Sequence, residues 1–521
     1  MRGVRIRVGT TVLAAALLVG SVGGCGVLEG GGSGQGPITV GTTDTVSALD
    51  PAGAYDAGSW ALYSNIYQSL LTFSPGSSAP VPDAARRCGF EGEGLRTYVC
   101  ELRPGLTFAN GHALTAEDVK FSFDRIVRIR SKQGPLSLLE TLRSVDASAA
   151  GDKVTFRLKV PDATFPFKIA TGGGSIVDSE TYPANRLRAG DEVDGSGPFV
   201  LSGYTTGATA ELKPNKRYQG VMKRAGSEVT VRYFADPGRL SQAWQDKSLD
   251  VVGRQLPPAD LAGLSPTETA FRVSETPAAN MRALVFNLRD GSPMRTTAVR
   301  QAIAAIVDRS ALARDVHLRT VEPLYSLIPQ GLTGHTTSFY DTYPNPDPEQ
   351  AAGLLRRAGV SVPVRFGLAY SRGAATDQEA ALLKKQLEAT GLFRVETRHV
   401  GWKEFQEGYA RGAYDAYTIS WVADFPDPDT FTTPLVGAGN ALHTGYTSPR
   451  IESLIRATQQ MDQRARVSPD FRSIQKIVAE DVPLVPLWQK KDYAVSRKSI
   501  SGTQYLSDGT GMWRLWRLKR M

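Results

Sequence analysis

Cysteine and histidine are scarce in this chain, and their scarcity removes whole classes of chemistry. Across 521 residues there are three cysteines and five histidines. The histidines, at 112, 317, 335, 399 and 443, are scattered without the spacing that gathers a metal ion. No H-E-x-x-H helix and no G-x-S-x-G elbow occurs, so the common zinc and serine hydrolase devices are missing. Nothing implies a cofactor, and the chain does not read as an enzyme. Positive charge is mild, +8 overall, without a Lys/Arg cluster that would track phosphates, which argues against a nucleic-acid partner. No internal repeat appears, excluding a solenoid. Past the N-terminus no apolar run approaches the roughly 20 residues that span a bilayer. With 41% apolar residues the chain can bury real cores, and its length predicts two or three domains.

What is present begins at the N-terminus. Arg2, Arg5 and Arg7 precede an apolar run over 12–19, and the small residues Gly20, Ser21, Gly23 and Gly24 follow. This pattern predicts a signal peptide over 1–24. Val22-Gly23-Gly24-Cys25 resembles the lipobox of bacterial lipoproteins, which implies cleavage before Cys25 and lipidation of that residue. The Gly/Ser tract over 25–36 reads as a flexible tether to the anchor. Loss of three arginines and no acid takes the charge from +8 to +5. In an oxidising compartment Cys88 and Cys100 are expected to form a disulfide, the glycines at 89, 92 and 94 allowing a hairpin between them.

Periodicity then outlines the elements. A helical stripe runs from Trp60 through Tyr63, Ile66, Tyr67, Leu70 and Leu71. Thr97–Leu102 and 154–160 alternate as strands. Thr115 caps a helix with Glu117 and Asp118 in its first turn and Val119, Phe123, Ile126 and Val127 as its apolar face. Asp347-Pro348, Ser448-Pro449 and Ser468-Pro469 open further helices. Between 360 and 421 strands and helices alternate: a helix ending at Gly391, a strand over 393–400, a helix over 402–411 stopped by Gly412, and a strand over 414–421. This alternation predicts an α/β domain.

The most informative string follows at once, Trp421-Val422-Ala423-Asp424-Phe425-Pro426-Asp427-Pro428-Asp429. It sets one carboxylate, Asp424, between two aromatics and ahead of two prolines that end regular structure. On the residues alone two readings stay open. One is a turn, since Asp-Pro pairs favour turns. The other is a cation receptor, since low-dielectric walls strengthen the attraction of a carboxylate.

Taken in order, further motifs resemble those of the family 5 extracellular solute-binding proteins of ABC importers. They include Asn65-Ile66-Tyr67-Gln68-Ser69-Leu70-Leu71, Pro82-Asp83-Ala84-Ala85, and Leu102-Arg103-Pro104-Gly105-Leu106-Thr107-Phe108-Ala109-Asn110-Gly111 with Leu114-Thr115-Ala116-Glu117-Asp118-Val119. Gly195-Ser196-Gly197-Pro198-Phe199, Phe286-Asn287-Leu288, Val299-Arg300-Gln301-Ala302-Ile303 and Ile306-Val307-Asp308-Arg309 continue the series. Most of these are turns, helix starts and core stripes, and they report fold. The resemblance implies an α/β, two-lobed periplasmic-binding-protein-like fold of type II, in the peptide-binder cluster, with an inserted domain. The implied division is lobe I over 37–72, 177–277 and 485–521, the inserted domain over 73–176, and lobe II over 278–484.

The resemblance also implies a site. Trp421 to Phe425 is similar to the oligopeptide-binder pattern W-C-A-D-Y, and Trp402-Lys403-Glu404-Phe405 to W-K-T-F, with no gap between them. Asp424 then stands where the family pairs a carboxylate with the α-amino group of a peptide, and Trp402, Trp421, Val422, Ala423 and Phe425 are the accompanying ligand-binding candidates. Tyr55 and Asp56 fall where lobe I reaches the cleft, on a looser match. The implied partners are a peptide, an ABC permease with its ATPase, and the membrane through the lipid anchor. The protein is expected to be a monomer at the outer face of the cytoplasmic membrane. The alternative is the same scaffold holding an oligosaccharide, a nickel chelate or an opine-like compound.

Overall fold

The computed structural model describes residues 36–222, 225–254, 256–264, 270–507, 510 and 512–521. The expected signal peptide, the Cys25 lipobox and all but the last residue of the tether lie outside the described residues. The chain opens with strand β1 (Ile38–Thr42) and helix α1 (Ala57–Ile66), then a hairpin of β2 (Ala85–Phe90) and β3 (Thr97–Leu102), and helix α2 (Ala116–Ile129). Strands β4 (Val229–Tyr233), β5 (Val251–Gly253) and β6 (Asn280–Phe286) follow. Next come β7 (Val364–Ser371), α3 (Thr376–Glu388), β8 (Phe393–Val400), α4 (Trp402–Arg411), β9 (Ala416–Val422) and α5 (Asp429–Val436). The 14-residue strand β10 (Leu484–Arg497) then runs through the middle of the molecule.

Most strands share one 12-stranded sheet, ordered β8-β7-β9-β6-β10-β5-β1-β4, then Thr209–Pro214 and Phe199–Thr205. Registers show what this order does to the strand ends. β9 runs antiparallel to β6, with Val422 opposite Asn280, and β6 antiparallel to β10, with Arg282 opposite Trp488. β7 and β8 are parallel to β9. On the other side β5 is antiparallel to β10, with Gly253 opposite Ala494, and β1 and β4 run with β5. The carboxyl ends of both parallel groups therefore point toward the same stretch of β10, residues 489–493. Ligands of open α/β sheets bind outside carboxyl ends of this kind.

Apolar side chains gather in three large clusters. One lies within 281–487. A second draws on residues between 52 and 176, joined by Phe425. The third combines 38–67, Leu138, 177–251 and 494–518. The second cluster packs under a four-stranded sheet in which β2 and β3 pair at Cys88 and Cys100, joined by the expected disulfide at 2.02 Å. Gly92 and Gly94 take φ of 70° and 91° in the connecting turn, a conformation that a Cβ disfavours.

The helix signals hold where local chemistry is strong. Thr115 and Asp118 form a reciprocal capping box at the start of α2. Asp347 caps Pro348–Arg357, and Gly412 ends α4 at φ 73°. Two expectations fail for tertiary and geometric reasons. α1 stops at Ile66 because Tyr67 turns extended, its hydroxyl reaching the Leu49 carbonyl and Tyr182, while Gly197 N–H caps the Ile66 carbonyl. Val127 is 44% exposed, since at about 100° per residue it lies a quarter-turn from Ile126.

Candidate functional site

Asp424 sits two residues past β9, and the strand's pairing carries on to reach it. Ala423 N–H donates to the Ala279 carbonyl at 2.7 Å, so side-chain alternation continues and Asp424 shares a face with Ser420 and Val422. α5 then returns to lock the loop. Thr430 Oγ1 accepts from Asp424 N–H at 3.0 Å and donates to Asp424 Oδ2 at 3.4 Å, while the Thr430 carbonyl accepts from Trp421 Nε1 at 2.8 Å. Tyr55, just ahead of α1, donates its hydroxyl to Oδ2 at 2.6 Å. Among the described residues no cation reaches this carboxylate. Burial accordingly pushes Asp424 up to about 7, against the opposite pull of its bonds from Tyr55 and Thr430. Burial, and then the charge of Asp424, drive the Tyr55 phenol well above its ordinary range.

The remaining acids of the string have other tasks. Asp427 receives a two-pronged bond from Arg464, Nε to Oδ2 at 2.7 Å and Nη2 to Oδ1 at 2.8 Å. Its Oδ1 also caps Asp429 N–H. Asp429 accepts from Thr433 Oγ1 at 2.8 Å, and burial pushes it up to about 6 although Lys168 pulls the other way. Asp429 also accepts from Gln459 Nε2 at 3.4 Å, so Asp427 and Asp429 frame the loop with guanidinium and amide partners, whereas the side chain of Asp424 meets hydroxyls only among the described residues.

The structure brings Trp421, Val422, Ala423 and Asp424 together on one strand end and disperses the other two candidates. Phe425 is 2% exposed, its ring 5.9 Å from that of Phe167, inside the cluster of residues 52–176. In this conformation the ring anchors the loop. Trp402 opens α4, is 56% exposed and stacks on Phe405 at 5.9 Å. It follows β8, two strands from β9, and so stands at the same carboxyl edge as Asp424. Asp56 turns inward as the cap of α1, accepting from Ser59 N–H. His399 stacks on Tyr370. Sequence reasoning overlooked Thr430, whose position one turn past the Asp-Pro pairs gave no signal by itself.

Beside β9 lies a buried polar cluster. Arg282 of β6 donates to Glu379 Oε1 at 2.7 Å and to Thr418 Oγ1 at 2.7 Å, and Trp488 Nε1 donates to Glu379 Oε2 at 2.7 Å. Burial would raise the Glu379 carboxyl, but Arg282, His317 and Trp488 overcome it and hold it at about 2. Among the described residues no group of three or more histidines, cysteines and acids could hold a metal, and no helix is long and apolar enough to cross a membrane.

The sequence profile of the bacterial extracellular solute-binding proteins, family 5 (middle), matches residues 79–442. The chain belongs to this family. Relatives of this solute-binding protein include the di/tripeptide-binding protein 2 of Pseudomonas aeruginosa, 28% identical over 475 residues, or 84% of this chain and 86% of the relative. The dipeptide-binding protein of Escherichia coli is 25% identical over 492 residues, 88% of each chain. Among solved structures, DppA of Helicobacter pylori in complex with the peptide STSA superposes with a TM-score of 0.82 at 18% identity, covering 93% of this chain and 98% of that one. The binding protein AgaA from A. tumefaciens R10, in complex with agropinic acid, superposes at 0.81 with 20% identity, covering 93% and 99%. The fold is thus the two-lobed one of periplasmic binding proteins.

Proposed function

We propose that this solute-binding protein captures peptides with a free amino terminus in the cleft between its lobes and passes them to an ABC permease. The observation that carries the reading is Asp424, a half-buried carboxylate at the carboxyl edge of β7, β8 and β9 with two hydroxyls and, among the described residues, no cation around it. A desolvated carboxylate gains most from an ammonium group that is desolvated with it. The peptide-binding names of the curated relatives support the same cargo. In this reading the α-ammonium meets Asp424, with Tyr55 and Thr430 holding the receiving oxygen, and backbone groups of 420–423 pair with the peptide main chain like an added strand. Trp421 and Trp402 contribute walls to the cleft.

The lobes in this reading are those implied by the sequence: 37–72, 177–277 and 485–521 form lobe I, 278–484 lobe II, and 73–176 the inserted domain. Lobe closure about β10 brings Tyr55 to Asp424. Export as a monomer, lipidated at Cys25 and held at the outer face of the cytoplasmic membrane, completes the proposal and needs no catalytic step. Mass spectrometry of small molecules released by denaturing the purified protein tests it. Peptides with unblocked amino termini support the reading; an oligosaccharide, a nickel chelate or an opine-like acid contradicts it.

A further inference from the structure

The loop that carries Asp424 leans on a part of the chain from which none of the bonds to Asp424 comes. On one side of this seam stand residues 425–429, the helix Pro449–Gln459 and Arg464, all in the proposed lobe II. On the other stands the helical turn Phe165–Lys168, near the end of the proposed inserted domain. Contacts of three kinds join the two sides. The Phe425 ring meets Phe167 at 5.9 Å and Phe167 meets Phe73 at 6.3 Å, so the aromatic next to Asp424 belongs to the apolar cluster of residues 52–176 and not to that of its own strand. Ala163 N–H donates to the Gln459 carbonyl at 2.8 Å. The third contact is electrostatic and centres on Lys168.

Lys168 Nζ bonds Asp162 Oδ2 at 2.8 Å, and Asp162 Oδ1 accepts from Thr164 N–H at 2.9 Å. Across the seam the lysine charge bears on Asp429 and pulls its carboxyl down against burial. Arg464 faces Asp427, Asp429 and Asp162, and is itself committed to Asp427 by two bonds. Two cations therefore serve three acids that are at most 2% exposed. Without Lys168 the acids would be left with one cation, and buried acids are costly when their cation is removed. Gln459 ties the polar contacts together, since its carbonyl takes Ala163 N–H while its Nε2 reaches Asp429 Oδ1 at 3.4 Å.

Residues 425–429 are the whole of the segment between Asp424 and Thr430, whose hydroxyl bonds Asp424 twice. Whatever fixes this segment also fixes the register of those two bonds. We propose that the inserted domain is a clamp on the cargo site, with Lys168 as the positioning residue that holds 425–429 in place without touching cargo. This rests on the reading of Asp424 as the ammonium receptor and on the proposed division into lobes.

Hydrogen exchange of the ligand-free protein tests the clamp without any cargo. The amides to resolve are Ala163, which bonds across the seam, and Asp424, which bonds Thr430 Oγ1. The amides of β3 report the core of the same inserted domain. Lys168→Met should speed exchange at Ala163 and Asp424 by about tenfold or more and leave β3 at the parent rate. Asp429→Asn added to Lys168→Met removes the acid that lost its cation and should return both rates most of the way. Parent rates at Ala163 and Asp424 in Lys168→Met, acceleration of β3 to the same degree, or no recovery in the double variant would each overturn the proposal.

The link to cargo is read from the release of peptides captured from a defined set of di- to tetrapeptides with free amino termini. Release from Lys168→Met should be faster by about fivefold or more, and release from the double variant should approach that of the parent. Unchanged release despite faster exchange at Ala163 would overturn the positioning role. Failure of the parent to retain any of these peptides would contradict the proposed function, while the exchange rates still decide the clamp.

Discussion

The phenol of Tyr55 donates to Asp424 Oδ2 at 2.6 Å across a sequence separation of 369 residues. One partner precedes the first helix and the other follows the last strand of the parallel group β7–β9, so the bond joins two apolar clusters that share no core. It also gives a carboxylate held up to about 7 a hydroxyl partner while no ammonium is bound. Under the proposed function, an ion pair at this oxygen would replace a weak arrangement by a stronger one.

That raised carboxyl sets a pH dependence. In the ligand-free protein Asp424 holds its proton below about 7, whereas an unfolded aspartate releases it near 4. The group therefore favours the ligand-free fold most below its unfolded value, and this contribution is lost as pH rises through 7. Ammonium binding has the opposite sign, because it needs the ionised form. Peptide affinity should fall by up to about tenfold per pH unit below 7. Calorimetry near pH 6 in buffers of different ionisation enthalpy should show release of close to one proton per peptide.

Tyr55→Phe removes the stronger of the two hydroxyl donors to Asp424. The carboxyl should rise further, so the affinity–pH curve should shift to higher pH and affinity at neutral pH should drop, by about 1–2 kcal/mol. Calorimetric titrations of parent and variant from pH 5.5 to 8.5 measure both quantities.

Much of this fold is legible in the residues before any coordinates. Capping chemistry at Thr115 and Asp347 and the glycine stop at 412 are local, and local chemistry survives folding. α1 shows the limit: nothing in its apolar stripe reports that Tyr67 is drawn off by Leu49 and Tyr182. The site divides in the same way. Asp424 and its strand are continuous in sequence, so the string alone marked them. Tyr55 and Thr430 owe their bonds to Asp424 to sheet order and to the return of α5, which no local pattern encodes. Phe425 is instructive for the opposite reason. A flanking aromatic reads as a cleft wall, but its neighbour in space is Phe167, from a distant part of the chain.

Arg464 should matter more for stability than its distance from the cargo suggests. Its two bonds to Asp427 and those to the carbonyls of Thr458 and Met461 hold the loop that carries Asp424. Arg464→Met leaves a buried carboxylate unpaired and should destabilise the protein by about 3–5 kcal/mol. Urea unfolding measures this, and Asp427→Asn added to Arg464→Met should recover part of the loss.

The disulfide should act locally. Cys88→Ser with Cys100→Ser opens a link of 12 residues between paired strands. The expected cost is about 2–3 kcal/mol, read as a lower melting temperature, with peptide affinity unchanged because the link lies outside the cluster of residues 281–487 that supports β9.

The most direct measurement compares one captured peptide with its N-acetylated form, on the parent protein and on Asp424→Asn, by calorimetry at pH 7.5. The account predicts that acetylation and the substitution each weaken binding by about 2–5 kcal/mol. It also predicts that the variant no longer distinguishes the two peptides. Equal affinity of the parent for free and acetylated peptide would contradict it.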